Sequence, residues 1–206
     1  MANSTKNSNM VVGLDIGTSK VVCIVGKYNE KNSLEIVALG AYPSSGLKKG
    51  VVVNIDATTD AISKAVEQAQ SMIEEKIKSV YVGIAGNHIK SLNSQGAVGI
   101  KDNEVSALDI DRVIESAQAV SIPSDQRVLH VLPQSFVIDD QEVSLDPLGM
   151  SGVRLEAKVH LVTCASSAIK NIEKCIKNCG LSVDGFVLEQ LASSHSILSD
   201  DEKDLG

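Results

Sequence analysis

The sequence predicts an α/β fold: a mixed sheet with flanking helices, and a smaller α+β segment inserted into it. Three observations carry this expectation. The chain opens with three apolar runs, two within 11–27 and one at 34–42, which read as consecutive strands. A strand–helix–strand–helix order follows over 155–198, the pattern that places parallel strands beneath helices. Between these parts, about 80–157 has its own strands and helix and interrupts the pattern.

Taken in order, 11–27 is rich in Val and Ile around an internal Asp-Ile-Gly-Thr, so it predicts two strands joined by a tight turn. The run 34–42 ends at Pro43-Ser44-Ser45-Gly46, and 50–55 reads as a short strand. In 56–78, Ala57, Ile62, Ala65, Val66, Ala69, Met72 and Ile73 share one helical face, with Asp56 placed to cap the first turn. A strand is expected at 80–85. A helix follows, starting near Ser106 and stopping before Pro123. The long strand 127–138 contains Pro133, which implies an edge or a bulge. A polar loop, 139–152, leads to a strand at 155–164. A helix at 167–179 is stopped by Gly180, and a strand at 181–188 and a short helix at 190–198 follow. The acidic ending from Asp200 has no element to close on.

Composition removes several classes of function. The 206 residues carry a net charge of −7, and no basic cluster exceeds Lys48-Lys49. With no Trp, two Phe and three Tyr, the chain lacks the basic stripe and stacking aromatics of a nucleic-acid binder. Cys23, Cys164, Cys175 and Cys179 form no C-x-x-C pair. With His88, His130, His160 and His195 they read as structural or surface residues. No apolar stretch reaches the roughly 20 residues of a membrane helix. The polar start, 1–9, lacks a signal-peptide core and reads as a disordered tail of a cytoplasmic protein.

Chemistry concentrates in Gly13-Leu14-Asp15-Ile16-Gly17-Thr18-Ser19-Lys20. An apolar strand delivers Asp15 at its end, and Gly17 allows close approach of an anion. Successive backbone N–H groups in such a turn form an anion-binding concavity. Thr18 and Ser19 add hydroxyl donors, and Lys20 adds positive charge. Asp15 repels a bare phosphate, so its place makes sense beside a hydrated Mg²⁺ that bridges to a nucleotide. The bland alternative is an ordinary hairpin turn. The spacing is not that of a Walker A loop.

This stretch resembles the first phosphate motif of the superfamily of actin, heat-shock chaperones and sugar kinases. Gly46-Leu47-Lys48-Lys49-Gly50-Val51, the segments 80–89, 127–134 and 152–161, and Leu191-Ala192-Ser193-Ser194 are similar to the FtsA family of bacterial cell-division proteins. The resemblance spans the chain after its tail. It implies an actin-like (RNase H-like) subdomain called 1A at 10–79 and 158–206, and an inserted small subdomain called 1C (SHS2-like) at 80–157. It also implies ATP and Mg²⁺ as ligands of the full-length protein. Asp15, Gly17, Thr18, Ser19 and Lys20 would bind the nucleotide, and Asp15 would approach the metal. Glu189 matches a position that orients the attacking water in some actin relatives. A carboxylate at a strand end also serves as a helix N-terminal charge.

The family implies a scaffold and at most a weak ATPase. It tethers the FtsZ ring to the cytoplasmic face of the inner membrane at the division site, recruits later division proteins through 1C, and self-associates into filaments. The second phosphate motif, adenosine motif, second lobe and C-terminal membrane-binding helix that the resemblance implies do not occur in this sequence. The chain is therefore expected to be the N-terminal half, binding ATP weakly or not at all and lacking the FtsZ-binding lobe. Its candidate interaction surface is 106–120 with the loop 139–152. A type IV pilus assembly ATP-binding protein is the alternative reading.

Overall fold

The computed structural model describes residues 9–143 and 146–205. The expected tail, 1–9, lies outside them apart from Asn9, as do Ser144 and Leu145 of the expected loop. The chain divides into two compact units. One takes the described residues up to His88 and from Ser167 on, and the other is Ile89–Ser166.

The first unit is built on a five-stranded sheet. Strands β1 (Met10–Ile16), β2 (Lys20–Tyr28) and β3 (Leu34–Pro43) pair antiparallel in succession. Two 2-residue strands, β4 (Leu47–Lys48) and β5 (Val51–Val52), form a separate hairpin before helix α1 (Ile55–Gln70). Strand β6 (Ser79–Ile84) then lies parallel to β1 on its other side. One face of the sheet carries buried Val12, Leu14, Ile16, Val21, Cys23, Val25, Val80, Val82 and Ile84. Helix α1 covers it with Ala61, Ile62, Ala65 and Ala69, all buried. The N-cap of α1 is Asn54, whose Oδ1 accepts the Ala57 N–H at 3.0 Å, not Asp56, which adds a favourable negative charge to the first turn. The helix also ends at Gln70, well before Lys78. There the Gln70 side chain donates to Ile73 O and Glu75 O and accepts from Ile77 N–H, replacing helical bonds through the loop that leads into β6.

The second unit is a four-stranded antiparallel sheet in the order β7-β10-β8-β9. Its strands are β7 (Ile89–Gly99), β8 (Gln126–Ile138), β9 (Gln141–Val143) and β10 (Arg154–Ala165). Helix α2 (Ala107–Gln118) packs on it, and Val113 and Ala117 meet Phe136, Leu155, Ala157, Val159 and Leu161 in the core. Ser106 opens α2 with a reciprocal capping box: its hydroxyl accepts the Asp109 N–H, and the Asp109 carboxylate accepts the Ser106 N–H. The Ser106 hydroxyl hydrogen bond, ahead of the Arg112 charge, holds the Asp109 carboxyl below its ordinary range. Pro133 sits at a bulge: the pairing of β8 with β10 slips between Ser135 and Pro133. The sequence reading missed β7, whose Lys90, Ser91, Asn93, Ser94 and Gln95 hide its alternation.

The chain returns to the first unit through α3 (Ser166–Asn178), β11 (Ser182–Leu188), α4 (Glu189–Ile197) and α5 (Asp200–Leu205). Strand β11 pairs parallel with β6 and completes the sheet order β11-β6-β1-β2-β3. Helix α3 buries Ala168, Ile169, Ile172, Cys175 and Ile176, and the Cys175 thiol reaches Ile55 O. The acidic ending closes on itself as α5, where Ser199 and Glu202 exchange hydrogen bonds at its start. The unit boundaries fall about nine residues later than the expected 80–157 segment. Strand β6 is bonded into the first sheet and β10 runs unbroken to Ala165 in the second.

Candidate functional site

Side chains alternate along β1, so Leu14 and Ile16 enter the core while Asp15 emerges, exposed, on the opposite face. The β1–β2 turn follows at once. Its closure uses the Gly17 N–H, which donates to Lys20 O at 3.0 Å; a Cβ on Gly17 would stand 2.9 Å from that same oxygen. Ser44 N–H braces the turn from the side by donating to Ser19 O at 2.9 Å. The Gly17 amide is thus spent inside the turn. The exposed amides and hydroxyls of Thr18 and Ser19 hold no hydrogen bond among the described residues.

Strand pairing supplies the rest of the site. The parallel register of β1 and β6 puts Asp15 opposite Gly83, and that of β6 and β11 puts Gly83 opposite Val187. Two residues later Glu189 begins α4, and its side chain folds back over Gly83 and hydrogen-bonds the Asp15 side chain. Burial, then the Asp15 charge and that hydrogen bond, push the Glu189 carboxyl up to about 7.

A groove of about 470 Å³ runs over these residues, lined by Asp15, Lys20, Gly83, Tyr81, Glu189 and Ser193 among others. It joins Asp15 and Lys20 of the expected set to Glu189. Gly17, Thr18 and Ser19 stand at the adjoining turn, outside its lining. The arrangement offers a carboxyl pair for a cation's water shell, with an ammonium and free amides for an anion. Among the described residues, no group of three or more His, Cys, Asp or Glu side chains is placed to hold a metal by itself. Cys23, Cys164 and Cys175 are buried and Cys179 half-buried; burial pushes the Cys23 thiol up to about 11, which makes it unreactive. No helix among the described residues is long and apolar enough to cross a membrane.

Sequence reasoning did not single out Gly83, Tyr81 or Ser193. The available signal was a glycine inside the apolar strand Val80-Tyr81-Val82-Gly83-Ile84, since an interior strand glycine marks a close approach.

Comparison with known proteins places these features among relatives. Residues 86–163 match the family described as the SHS2 domain inserted in FtsA. Over 203 residues, 98% of this chain, the sequence is 60% identical to the cell division protein FtsA of Pseudomonas aeruginosa and covers 49% of it. It is 53% identical to that of Neisseria meningitidis, over 94% of this chain and 47% of the relative. It is 42% identical to that of Escherichia coli K12, over 96% of this chain and 47% of the relative. The chain therefore spans about half the length of the curated relatives it matches. Among solved structures, the PilM-PilN type IV pilus biogenesis complex aligns with a TM-score of 0.62 at 14% identity, covering 90% of this chain and 49% of that one. At that identity the likeness shows the fold alone: an actin-like lobe with a mixed sheet, flanking helices and an inserted α+β unit.

Proposed function

We propose, from the premise that this chain belongs to the FtsA family of cell-division proteins, that its first unit is one phosphate-holding lobe of an ATP-binding division scaffold and its second unit a partner-binding module. The observation that carries the first part is the convergence of Asp15, Glu189 and Lys20 in one groove beside a turn with free amides. Mg²⁺ is held in proteins by one or two carboxylates plus the phosphates of its ligand, and these residues fit that pattern better than a resident metal cage. ATP and Mg²⁺ are thus the proposed ligands. Asp15 and Glu189 would hold water on the cation, Lys20 would face a phosphate oxygen, and Gly17, Thr18 and Ser19 would shape and line the turn. Mg²⁺ would neutralise phosphate charge there. At most a weak ATPase activity is proposed for the full-length protein.

One lobe makes only part of the contacts of a two-lobed clamp while bearing much of the cost of immobilising the ligand. Titration of the ¹⁵N-labelled chain with Mg-ATP is expected to shift the amides of the 15–20 turn and of Glu189, with an affinity weaker than about 1 mM, roughly −4 kcal/mol. Micromolar affinity would overturn the half-clamp view. An unmoved turn at saturating Mg-ATP would overturn the phosphate lobe.

For the second unit, the support is an exposed apolar group in, and at Val153 just beyond, the segments 106–120 and 139–152 already expected to bind partners. Leu108, Leu148, Met150 and Val153 are 72%, 56%, 40% and 65% exposed. Backbone bonds from Val105 N–H to Met150 O and from Gly149 N–H to Val105 O bring the loop alongside the start of α2. Later division proteins are the proposed partners here. FtsZ binding, filament formation and membrane attachment at the division site belong in this proposal to the other half of the relatives' length. Pull-down of division proteins is expected to fail after L108D with M150D while the fold is kept; unchanged capture would sink the assignment of this surface. The pilus-assembly alternative rests on fold likeness alone.

A further inference from the structure

Gly83 lies inside β6 with ordinary extended backbone, so no left-handed turn requires a glycine there. Interior strand glycine forfeits packing and adds unfolded-chain entropy, and it is kept where something must come close. Here the close neighbour is Glu189. A Cβ at Gly83 would stand 3.1 Å from Glu189 Cγ, 3.6 Å from its Oε1 and 3.8 Å from Asp15 Cα. The space a side chain would fill is therefore the space through which Glu189 reaches Asp15. Flanking residues show the contrast: Val82 and Ile84 bury their side chains on the other face, and Tyr81 on this face is 45% exposed.

We infer that Gly83 is a positioning residue: its lack of a side chain forms the seat that holds Glu189 against Asp15, so that two carboxyl groups rather than one face the cation of a bound Mg-nucleotide. The functional half rests on the phosphate-lobe reading above; the seat itself does not. A valine at 83 would suit a strand better than glycine by intrinsic preference. Its methyl groups would displace the Glu189 side chain, and a misplacement of this size at a ligand-holding group has a large effect on binding.

Two measurements on the full chain test this. In a thermal-melting cycle, Gly83→Val alone is expected to lower Tm by about 3 °C. In the Glu189→Ala background, where the seat is empty, the same change should leave Tm unchanged or raise it. Equal losses in both backgrounds would overturn the seat. In Mg-ATP titrations followed by amide shifts, Gly83→Val is expected to weaken binding about tenfold with Glu189 present and to have no further effect in Glu189→Ala. A purely structural glycine would not produce that dependence. Equal affinity of wild type and Gly83→Val would overturn the positioning role. A wild-type chain whose turn ignores Mg-ATP would overturn the phosphate lobe instead, leaving the melting cycle to judge the seat.

Discussion

Gly40→Val and Gly96→Val are each expected to unfold the unit that contains them, and even the alanine variants should lose a large share of its stability. Gly40 lies on β3 beneath α1, and a Cβ there would fall inside contact distance of Ala65 O and 2.7 Å from Ala69 N. Gly96 lies on β7 beneath α2, and a Cβ there would fall inside contact distance of Ala117 N and Val113 O and 2.8 Å from Ala117 Cα. In both cases the obstacle is helix backbone, which cannot swing aside as a side-chain end can. The helix must lift off its sheet, pulling Ala61, Ile62 and Ala65 of α1, or Val113 and Ala117 of α2, out of full contact. Overpacking by one methyl costs about 1–3 kcal/mol, and the larger valine should exceed about 4 kcal/mol. Domain stability is about 5–15 kcal/mol, so the valine variants approach the limit of folding. Urea midpoints of the four variants check this. Gly99→Ala, in the same strand as Gly96 but with nothing within 4 Å of its Cβ, serves as the neutral control. Midpoints unchanged from wild type at Gly40 or Gly96 would show that α1 or α2 does not approach its sheet this closely.

The same two positions show which parts of this molecule were legible in its sequence. Periodicity exposed α1, α2 and α3 because Ile62, Ala65, Ala69 and their counterparts repeat at helical spacing. The opening hairpin and its Asp15-to-Lys20 turn were legible because apolar strands flank a glycine and two hydroxyls. Strand β7 was not, since an edge strand with one solvated face needs few apolar residues, and Ile89, Leu92, Ala97 and Val98 do not alternate. The compact units divide at other positions than the expected 80–157 for a related reason: 80–85 reads as a strand, but only pairing tells which sheet it joins. The Asn54 cap was passed over in favour of Asp56 because two capping-type residues stand two apart and only backbone angles choose between them. At the site, Asp15 and Lys20 were found from local order. The meeting of Asp15 with Glu189 spans 174 positions and depends on the registers β1–β6 and β6–β11, which no local motif encodes.

Burial of Glu189, and then the Asp15 charge it meets, make stability depend on pH in a direction opposite to most carboxylates. Glu189 takes up its proton at about 7 in the folded chain against 4.5 as an isolated carboxyl. The folded state therefore binds more protons than the unfolded state between these values, and linkage makes stability fall as pH rises through them. The contribution is complete below about 4.5 and is lost as pH passes about 7. At about 1.4 kcal/mol per pKa unit the ceiling is about 3 kcal/mol, which solvent reaching the half-buried groove reduces to about 1–2 kcal/mol. His88 and His130 act in the opposite sense: burial lowers both, so their contribution grows as pH rises through the ordinary histidine range. The whole-chain profile mixes these effects, and the difference between wild type and Glu189→Gln isolates one of them. Urea midpoints from pH 4.5 to 8 are expected to show wild type losing stability relative to Glu189→Gln as pH rises. Asp15→Asn removes the neighbouring charge, so its loss should be smaller and end at lower pH, because Glu189 then ionises more readily in the folded chain. A wild-type minus Glu189→Gln difference that stays flat with pH would mean that the two carboxyl groups do not meet in solution, and the groove would lose the pair on which its cation-holding role depends.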